Sequence, residues 1–279
     1  MSSLIDRGIS TYQKEGTLTL IRRALRKAYE DMYYTGLSIR GHYSLTLENQ
    51  SIVFSAPSLT LIKRNRMRFK SEEPELRDFI REIRQEDVVY DIGANTGIYS
   101  LFAADKCSDG DVIAFEPYPP NIDILNQDID RNELQNVEVV EVALSDSVGT
   151  VEFSQPETDD VGYGSSSIEA NETEASTKVP TTTGDQLIAD GEIPPPDVVK
   201  IDVEGAEQLV IEGLKDALSI EDCRTVYCEV HLSGAEFRPS VEDFGSSLDE
   251  IYSQLRDVGY QVQKIGTRSD TEVFLKAQK

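Results

Sequence analysis

The sequence predicts an α/β fold with a mostly parallel sheet and helices on both of its faces. From residue 87 onward, short apolar runs alternate with amphipathic segments of helical length. Buried parallel strands are typically continuous apolar runs, and the helices that connect them cover both faces of the sheet. Several runs end in an acidic residue or a glycine, so ligands are expected at the carboxyl ends of the strands.

The elements follow from the period of the apolar residues. Helical spacing predicts an amphipathic helix over 17–34, and alternation predicts two strands within 42–56 that are joined by a polar turn. Pro74 is expected to open another helix. The remaining predictions are strands at 88–92, 112–115, 137–144, 198–203 and 225–230, helices at 96–104, 120–132, 206–218 and 241–258, and a final hairpin of 260–265 and 272–276. The polar stretch 154–178 has the composition of a loop or a lid, in which Tyr163 and residues 164–167 could cover an acceptor.

Charge divides the chain into a basic extension, residues 1–70, and a main domain, residues 71–279. The first part has a net charge of +7 and the second −31, within a total of −24. The basic excess suits an anionic surface or a phosphate-bearing acceptor, or else it neutralises the acidic domain. Most of it comes from Arg22, Arg23, Arg26, Lys27, Lys63, Arg64, Arg66, Arg68 and Lys70.

The overall composition is typical of a protein adapted to high salt. Ions screen the repulsion between its many acidic residues. No apolar run reaches the length of a membrane span, and the first ten residues lack a secretory core, so we expect a cytoplasmic protein. The three cysteines have neither disulfide nor zinc-site spacing.

A glycine turn follows the first strand of the main domain. Asp91 ends the apolar run, Gly93 and Gly97 permit a tight turn, and Asn95 tolerates unusual backbone angles. This spacing differs from the Gly-x-Gly-x-x-Gly pattern that holds a pyrophosphate. An acid at Asp91 suits a cationic part of a ligand, and Glu116, at the end of the next strand, can accept both hydroxyls of a ribose.

The segments DIGANTG (91–97), FEP (115–117), ALSD (143–146) and KIDVEGAE (200–207) together resemble the FkbM family of methyltransferases. This resemblance implies a Rossmann-like class I fold with seven strands, the last of them antiparallel, and S-adenosyl-L-methionine as the cofactor. It implies that Asp91, Gly93 and Gly97 line the methionine part and that Glu116 holds the ribose. The adenine would contact residues near Ala143.

The acceptor end is predicted at the next two strand ends. Asp202 and Glu204 follow one strand, and Glu229 and His231 end the other. Three interpretations remain open. His231 or Asp202 is a general base, with the others orienting the acceptor; Asp202, Glu229 and His231 bind a divalent metal; or the charges are structural, for example through a pair of Lys200 with Glu229. We favour the first and predict no metal ligand outright. Glu207 is expected to serve the first turn of the following helix.

The predicted function is therefore O-methylation with S-adenosylmethionine. The resemblance implies a hydroxyl acceptor on a sugar in a glycan, a glycolipid or a secondary metabolite. Two alternatives remain: an RNA methyltransferase that uses the basic segment, and a non-catalytic scaffold that binds a nucleoside. An acidic cleft would repel a polyanion, which makes nucleic acid an unfavourable partner. The basic segment also suggests a peripheral contact with an anionic membrane.

Overall fold

A seven-stranded sheet forms the centre of the computed structural model, which describes residues 2–154, 176–235 and 238–279. The helices and strands are, in chain order, α1 (Ser2–Arg40), β1 (His42–Leu47), β2 (Gln50–Ser55), α2 (Leu59–Ser71), α3 (Glu73–Glu82), β3 (Val88–Ile92), α4 (Ile98–Lys106), β4 (Asp111–Phe115), α5 (Pro119–Arg131), β5 (Val137–Val140), β6 (Ala143–Leu144), β7 (Gly149–Ser154), β8 (Ser176–Thr182), α6 (Gly184–Ala189), β9 (Val198–Ile201), α7 (Glu207–Gly213), α8 (Lys215–Ser219), β10 (Thr225–His231), α9 (Leu248–Asp257), β11 (Gln261–Ser269) and β12 (Glu272–Gln278).

The order of the strands in the central sheet is β11-β12-β10-β9-β3-β4-β5. Strands β5, β4, β3, β9 and β10 run parallel, whereas β12 runs antiparallel to β10. The chain moves outward from β3 to β5 and then returns to β9 on the other side of β3. This reversal opens a crevice at the carboxyl ends of β3 and β9. The predicted parallel sheet with an antiparallel last strand is confirmed.

Each strand divides its side chains between the two faces of the sheet. In β3, Val89 joins a core with α3, α4 and the hairpin β1–β2, while Tyr90 joins a second core with α7 and α9. Successive strand residues point to opposite faces, so a fully buried strand contributes to both cores. This explains why β3 and β9 are apolar throughout except at their site-facing ends.

The predicted hairpin of β1 and β2 is confirmed, and hydrogen bonds attach it to α5. Its strands pair antiparallel, with Glu48 at a positive φ of 52° in the turn. Both the backbone N–H and the hydroxyl of Ser55 donate to Asp128 Oδ1, at 2.7 and 2.5 Å. Burial raises the pKa of Asp128 to about 6. The hairpin and α5 therefore share a buried polar contact.

Several predicted boundaries were wrong. The first helix extends over Ser2–Arg40 and is longer than the predicted 17–34. Helix α2 was not predicted, because only three of its residues are buried and its apolar pattern is weak. The predicted strand 137–144 is two strands, because β5 lies in the central sheet whereas β6 pairs with β8 in a second sheet. The predicted helix 206–218 is likewise two helices, α7 and α8. Segment 241–258 breaks at Gly245, where φ is 76°.

The described ends of the polar stretch 154–178 belong to β7 and β8. The proposed lid residues, Tyr163 and 164–167, lie outside the described residues. Within the described part of the chain, no helix is both long and apolar enough to cross a bilayer.

Candidate active site

A crevice of about 580 Å³, including its open mouth, lies at the carboxyl ends of β3, β4 and β9. Its wall brings together sequence motifs that lie far apart in the chain. The lining residues are Arg68, Ile92, Gly93, Asn95, Phe115, Glu116, Pro117, Asn121, Ala143, Leu144, Asp202, Val203 and Glu204.

Asp91 is buried at the end of β3, and one of its carboxylate oxygens accepts no hydrogen bond. Its Oδ2 accepts a hydrogen bond of 2.6 Å from Ser100, whereas Oδ1 has no hydrogen-bond partner and lies 3.6 Å from Lys200 Nζ. Asp91 and Lys200 are paired neighbours on β3 and β9, which explains their proximity. A buried carboxylate oxygen without a donor can accept a hydrogen bond from a ligand's ammonium group.

The glycine turn depends on close packing. Gly93 has a φ of 82°, and a Cβ there would lie 1.9 Å from the carbonyl oxygen of Asp202. The N–H groups of Gly93 and Ala94 both donate to the Phe115 carbonyl. Gly97 immediately precedes α4, has a φ of 83° and packs against Leu125. These glycines let the turn pass tightly between β4 and β9.

Glu116 connects the turn to the end of β4. Its Oε2 accepts from the N–H of Asn95 at 2.7 Å, and its Oε1 accepts from the N–H of Tyr118 at 3.0 Å and from Asn121 at 3.3 Å. Burial raises the pKa of Glu116 to about 7. These donors fix the carboxylate at the crevice wall, where it can accept further hydrogen bonds from ligand hydroxyls.

Asp202 follows β9 and lies between two cations. Its Oδ2 is 2.5 Å from Arg68 Nη2 and 3.3 Å from Lys200 Nζ. Burial alone would raise the pKa of Asp202, but Lys200 and Arg68 outweigh it and hold the pKa well below its usual range. The predicted Lys200–Glu229 pair was wrong, since Lys200 bridges Asp91 and Asp202 instead.

His231 is almost fully buried among carboxylates. Its Nδ1 lies 2.6 Å from Glu207 Oε1, while Nε2 is 3.5 to 3.7 Å from one oxygen of each of Asp202, Glu204 and Glu229. Burial would lower the pKa of His231, but the charges of Glu204 and Glu207 raise it well above its usual value. His231 does not line the crevice, so its ring is not placed to take a proton from an acceptor bound there.

Two arginines, Arg268 and Arg238, lie beside the carboxylates that surround His231. Arg268 contacts Glu229 at 3.3 Å and Glu72 at 3.1 Å. Arg238 lies 3.5 Å from Glu204 and also pairs with Glu272. The pKa of Glu204 is raised to about 8, mainly by burial; His231 acts against this shift and Asp202 adds to it.

The structure separates the predicted site residues into two groups. Those that line the crevice are Gly93, Asn95, Glu116, Ala143, Asp202 and Glu204, whereas Asp91, Gly97, Glu229 and His231 lie behind its wall. Glu204 does not reach the site by strand alternation: β9 ends at Ile201, and Glu204 sits in a turn at a φ of 54°.

Sequence reasoning missed the roles of Arg68 and Glu207. Arg68 was counted in the basic excess of residues 1–70, for which neutralising the acidic domain was one alternative, and its pairing with Asp202 agrees with that alternative. Its place at the crevice was not foreseen, because α2 was not predicted. Glu207 was assigned to the start of a helix, where it does lie, but it is fully buried and contacts His231. The KIDVEGAE segment contains Glu207 and could have indicated it.

Comparisons with known proteins show what this chain is similar to. Residues 91–262 match the family model described as the methyltransferase FkbM domain. The hexuronic acid methyltransferase AglP of Haloferax volcanii is 31% identical over 219 residues, which cover 77% of this chain and 84% of that protein. The methyltransferase sdnD of Sordaria araneosa is 33% identical over 26% of this chain and 28% of that protein.

A solved S-adenosylmethionine-dependent methyltransferase from Aquifex aeolicus is also similar. Its TM-score is 0.44 at 14% identity, covering 77% of this chain and 96% of that one.

Proposed function

The chain belongs to the FkbM family of S-adenosylmethionine-dependent methyltransferases, and from this premise we propose that it methylates a hydroxyl group of a sugar of the hexuronic acid class. The observation that carries the proposal is that Asp202 and Glu204 line the same crevice as Glu116. A hydroxyl acceptor must lose a proton, and a carboxylate beside it can take that proton.

The residues at the ends of β3 and β4 fit the cofactor. Oδ1 of Asp91, which accepts no hydrogen bond but lies 3.6 Å from Lys200 Nζ behind the crevice wall, is assigned to its ammonium group. Glu116 suits its ribose hydroxyls, and the apolar Ala143 and Leu144 suit its adenine. When bound, S-adenosylmethionine supplies an electrophilic methyl group: the acceptor oxygen forms the new C–O bond as the C–S bond breaks, and the electron pair stays on sulfur.

Glu204 is the best placed of these carboxylates to take the acceptor's proton. It lines the crevice, and its Oε2 accepts no hydrogen bond, although His231 Nε2 and Arg238 Nε lie 3.6 and 3.5 Å away. Because its pKa is raised to about 8, it takes the proton in the fraction that is ionised, which grows as the pH rises through that value. Asp202 is held instead by Lys200 and Arg68, which leaves it as a positioning group. Glu204 thus replaces His231 and Asp202 as the proposed base.

The test is a transfer assay with a glucuronide and with the matching glucoside. We expect a product heavier by one methyl group from the glucuronide. Glu204→Gln is expected to lower kcat by about 10²–10⁴-fold while cofactor affinity is unchanged. Glu212→Gln, at an exposed position on α7, is the matched control and keeps full activity.

Three results would overturn the proposal. Methylation at nitrogen would exclude the hydroxyl acceptor, and transfer to RNA alone would favour the RNA methyltransferase. Cofactor binding without any product would favour the scaffold.

We also propose that α1 lies on an anionic membrane surface. Ile21, Leu25, Met32 and Ile39 are each more than half exposed. At 3.6 residues per turn they fall within about 40° of one another around the helix axis. Tyr34 and Leu37, on the opposite side, pack against the core. An exposed apolar stripe on a helix whose other faces carry Arg22, Arg23, Arg26 and Lys27 is the pattern of a helix that binds at a membrane interface.

Flotation with liposomes of phosphatidylglycerol, compared with phosphatidylcholine, tests this surface. We expect the protein to float with the anionic vesicles, and Leu25→Ser with Met32→Ser to abolish that. The control is Val148→Ser, which removes an equally exposed apolar side chain elsewhere. Absence of flotation, or an equal loss in the control, would contradict the proposal.

A further inference from the structure

We propose that Asp202, Glu229 and His231 bind a divalent cation beside the acceptor. One donor atom from each residue, two carboxylate oxygens and an imidazole nitrogen, lies within 4.8 Å of the other two. All three residues are buried, at 8%, 5% and 1% exposure. The cluster therefore has three convergent donors shielded from water.

The spacing of these atoms is that of ligands around a shared ion. His231 Nε2 lies 3.7 Å from Asp202 Oδ1 and 3.5 Å from Glu229 Oε1. Such distances are too long for good hydrogen bonds. Two ligand atoms that are each about 2.1–2.3 Å from one cation, at near-tetrahedral angles, are roughly 3.2–3.8 Å apart.

The orientation of His231 is fixed by a carboxylate on its other nitrogen. Nδ1 lies 2.6 Å from Glu207 Oε1, which also accepts the N–H of Gly205 at 3.0 Å. Metal-binding histidines usually donate their second N–H to a carboxylate, which sets the tautomer and presents the free nitrogen to the ion. Glu207 is fully buried, so it is well placed for this positioning role.

The charges around the cluster favour an additional cation. The connected ion pairs contain seven carboxylates and four permanent cations. The acids are Asp91, Asp202, Glu72, Glu204, Glu207, Glu229 and Glu272, and the bases are Lys200, Arg68, Arg238 and Arg268. Uncompensated buried charge is costly. A divalent ion would offset most of the excess and reduce the repulsion of an acidic sugar.

The role of the ion rests on the proposed function, whereas its site rests on the geometry alone. A cation at these ligands would polarise the acceptor hydroxyl and ease the transfer of its proton to Glu204. The mixed oxygen and nitrogen donors favour Mn²⁺, Fe²⁺ or Zn²⁺ over Ca²⁺.

The binding test uses the full chain, stripped with EDTA and titrated with Mn²⁺ under electron paramagnetic resonance. High salt suppresses binding to the acidic surface, since the Debye length falls to about 3 Å at 1 M. We expect one tight site and a hyperfine coupling to ¹⁵N in histidine-labelled protein. The chain has only two histidines. His231→Ala should therefore remove the coupling, while the matched control His42→Ala keeps it.

Glu229→Gln is expected to weaken Mn²⁺ binding by at least about tenfold. Cofactor binding by each variant shows that it is folded. The absence of a tight site, or a nitrogen coupling that survives in His231→Ala, would overturn the metal site. Methyl transfer that continues in EDTA would overturn the role of the ion but leave the proposed function intact. Tight Mn²⁺ binding without sugar methylation would overturn the proposed function alone.

Discussion

The ends of β4 and β9 hold their buried acids in different ways. Glu116 is held by the backbone N–H groups of Asn95 and Tyr118 and by the amide of Asn121. Asp202 is held by the side-chain cations Arg68 and Lys200. Backbone donors are fixed by the fold, whereas side-chain ion pairs can rearrange. The first region is therefore suited to a rigid site for the cofactor, and the second is suited to the proposed acceptor and ion.

The two regions meet at Gly93, and a substitution there is expected to have the largest effect on stability. Gly93→Ala places a Cβ 1.9 Å from the backbone oxygen of Asp202, at a φ of 82°. We expect a loss of at least about 3 kcal/mol in the free energy of unfolding, because a backbone clash adds to the strain of positive φ. Chemical denaturation measures it.

Gly191→Ala separates the strain of a positive φ from the clash with a neighbouring backbone. Its φ is 71°, but a Cβ there meets nothing within 4 Å. It should lose only about 1–2 kcal/mol through backbone strain. Equal losses at both glycines would show that the turn tolerates a shift of β9.

Asp91→Asn tests the end of β3, which lies between these two regions, at a carboxylate whose Oδ1 accepts no hydrogen bond. Removing the charge should lower cofactor affinity by about 10–100-fold, since a hydrogen bond to a charged group contributes about 1.5–3 kcal/mol. Isothermal calorimetry measures the affinity. Asp128→Asn is the control, because Asp128 is equally buried but contacts Ser55 of the hairpin instead. Unchanged affinity in Asp91→Asn would place the ammonium group elsewhere.

The difference between the regions also explains what the sequence could predict. Asp91 and Glu116 lie at strand ends one βαβ unit apart, so their proximity follows from local order along the chain. The environment of His231 depends on contacts that no periodicity encodes: Glu207 reaches it from α7, and Arg68 enters from a helix that was not predicted. Sequence reasoning named carboxylates that the structure brings together at neighbouring strand ends, but it could not tell which of them were already paired.

The smallest expected effect is a pH dependence of cofactor affinity. The pKa of Glu116 is raised to about 7 by burial. Ribose hydroxyls donate to the ionised form, so affinity should rise by about tenfold as the pH increases from about 6 to 8. Stability of the ligand-free protein changes in the opposite direction. A raised pKa in the folded state stabilises it below the ordinary pKa, and this contribution is lost as the pH rises through about 7.

The thermal shift on adding cofactor should therefore grow with pH, and Glu116→Gln should flatten that growth. Glu138→Gln, on the partly exposed edge strand β5, serves as the matched control and should keep the wild-type slope. A slope that persists in Glu116→Gln would assign the titration to the ion-paired cluster and remove the distinction between the two regions.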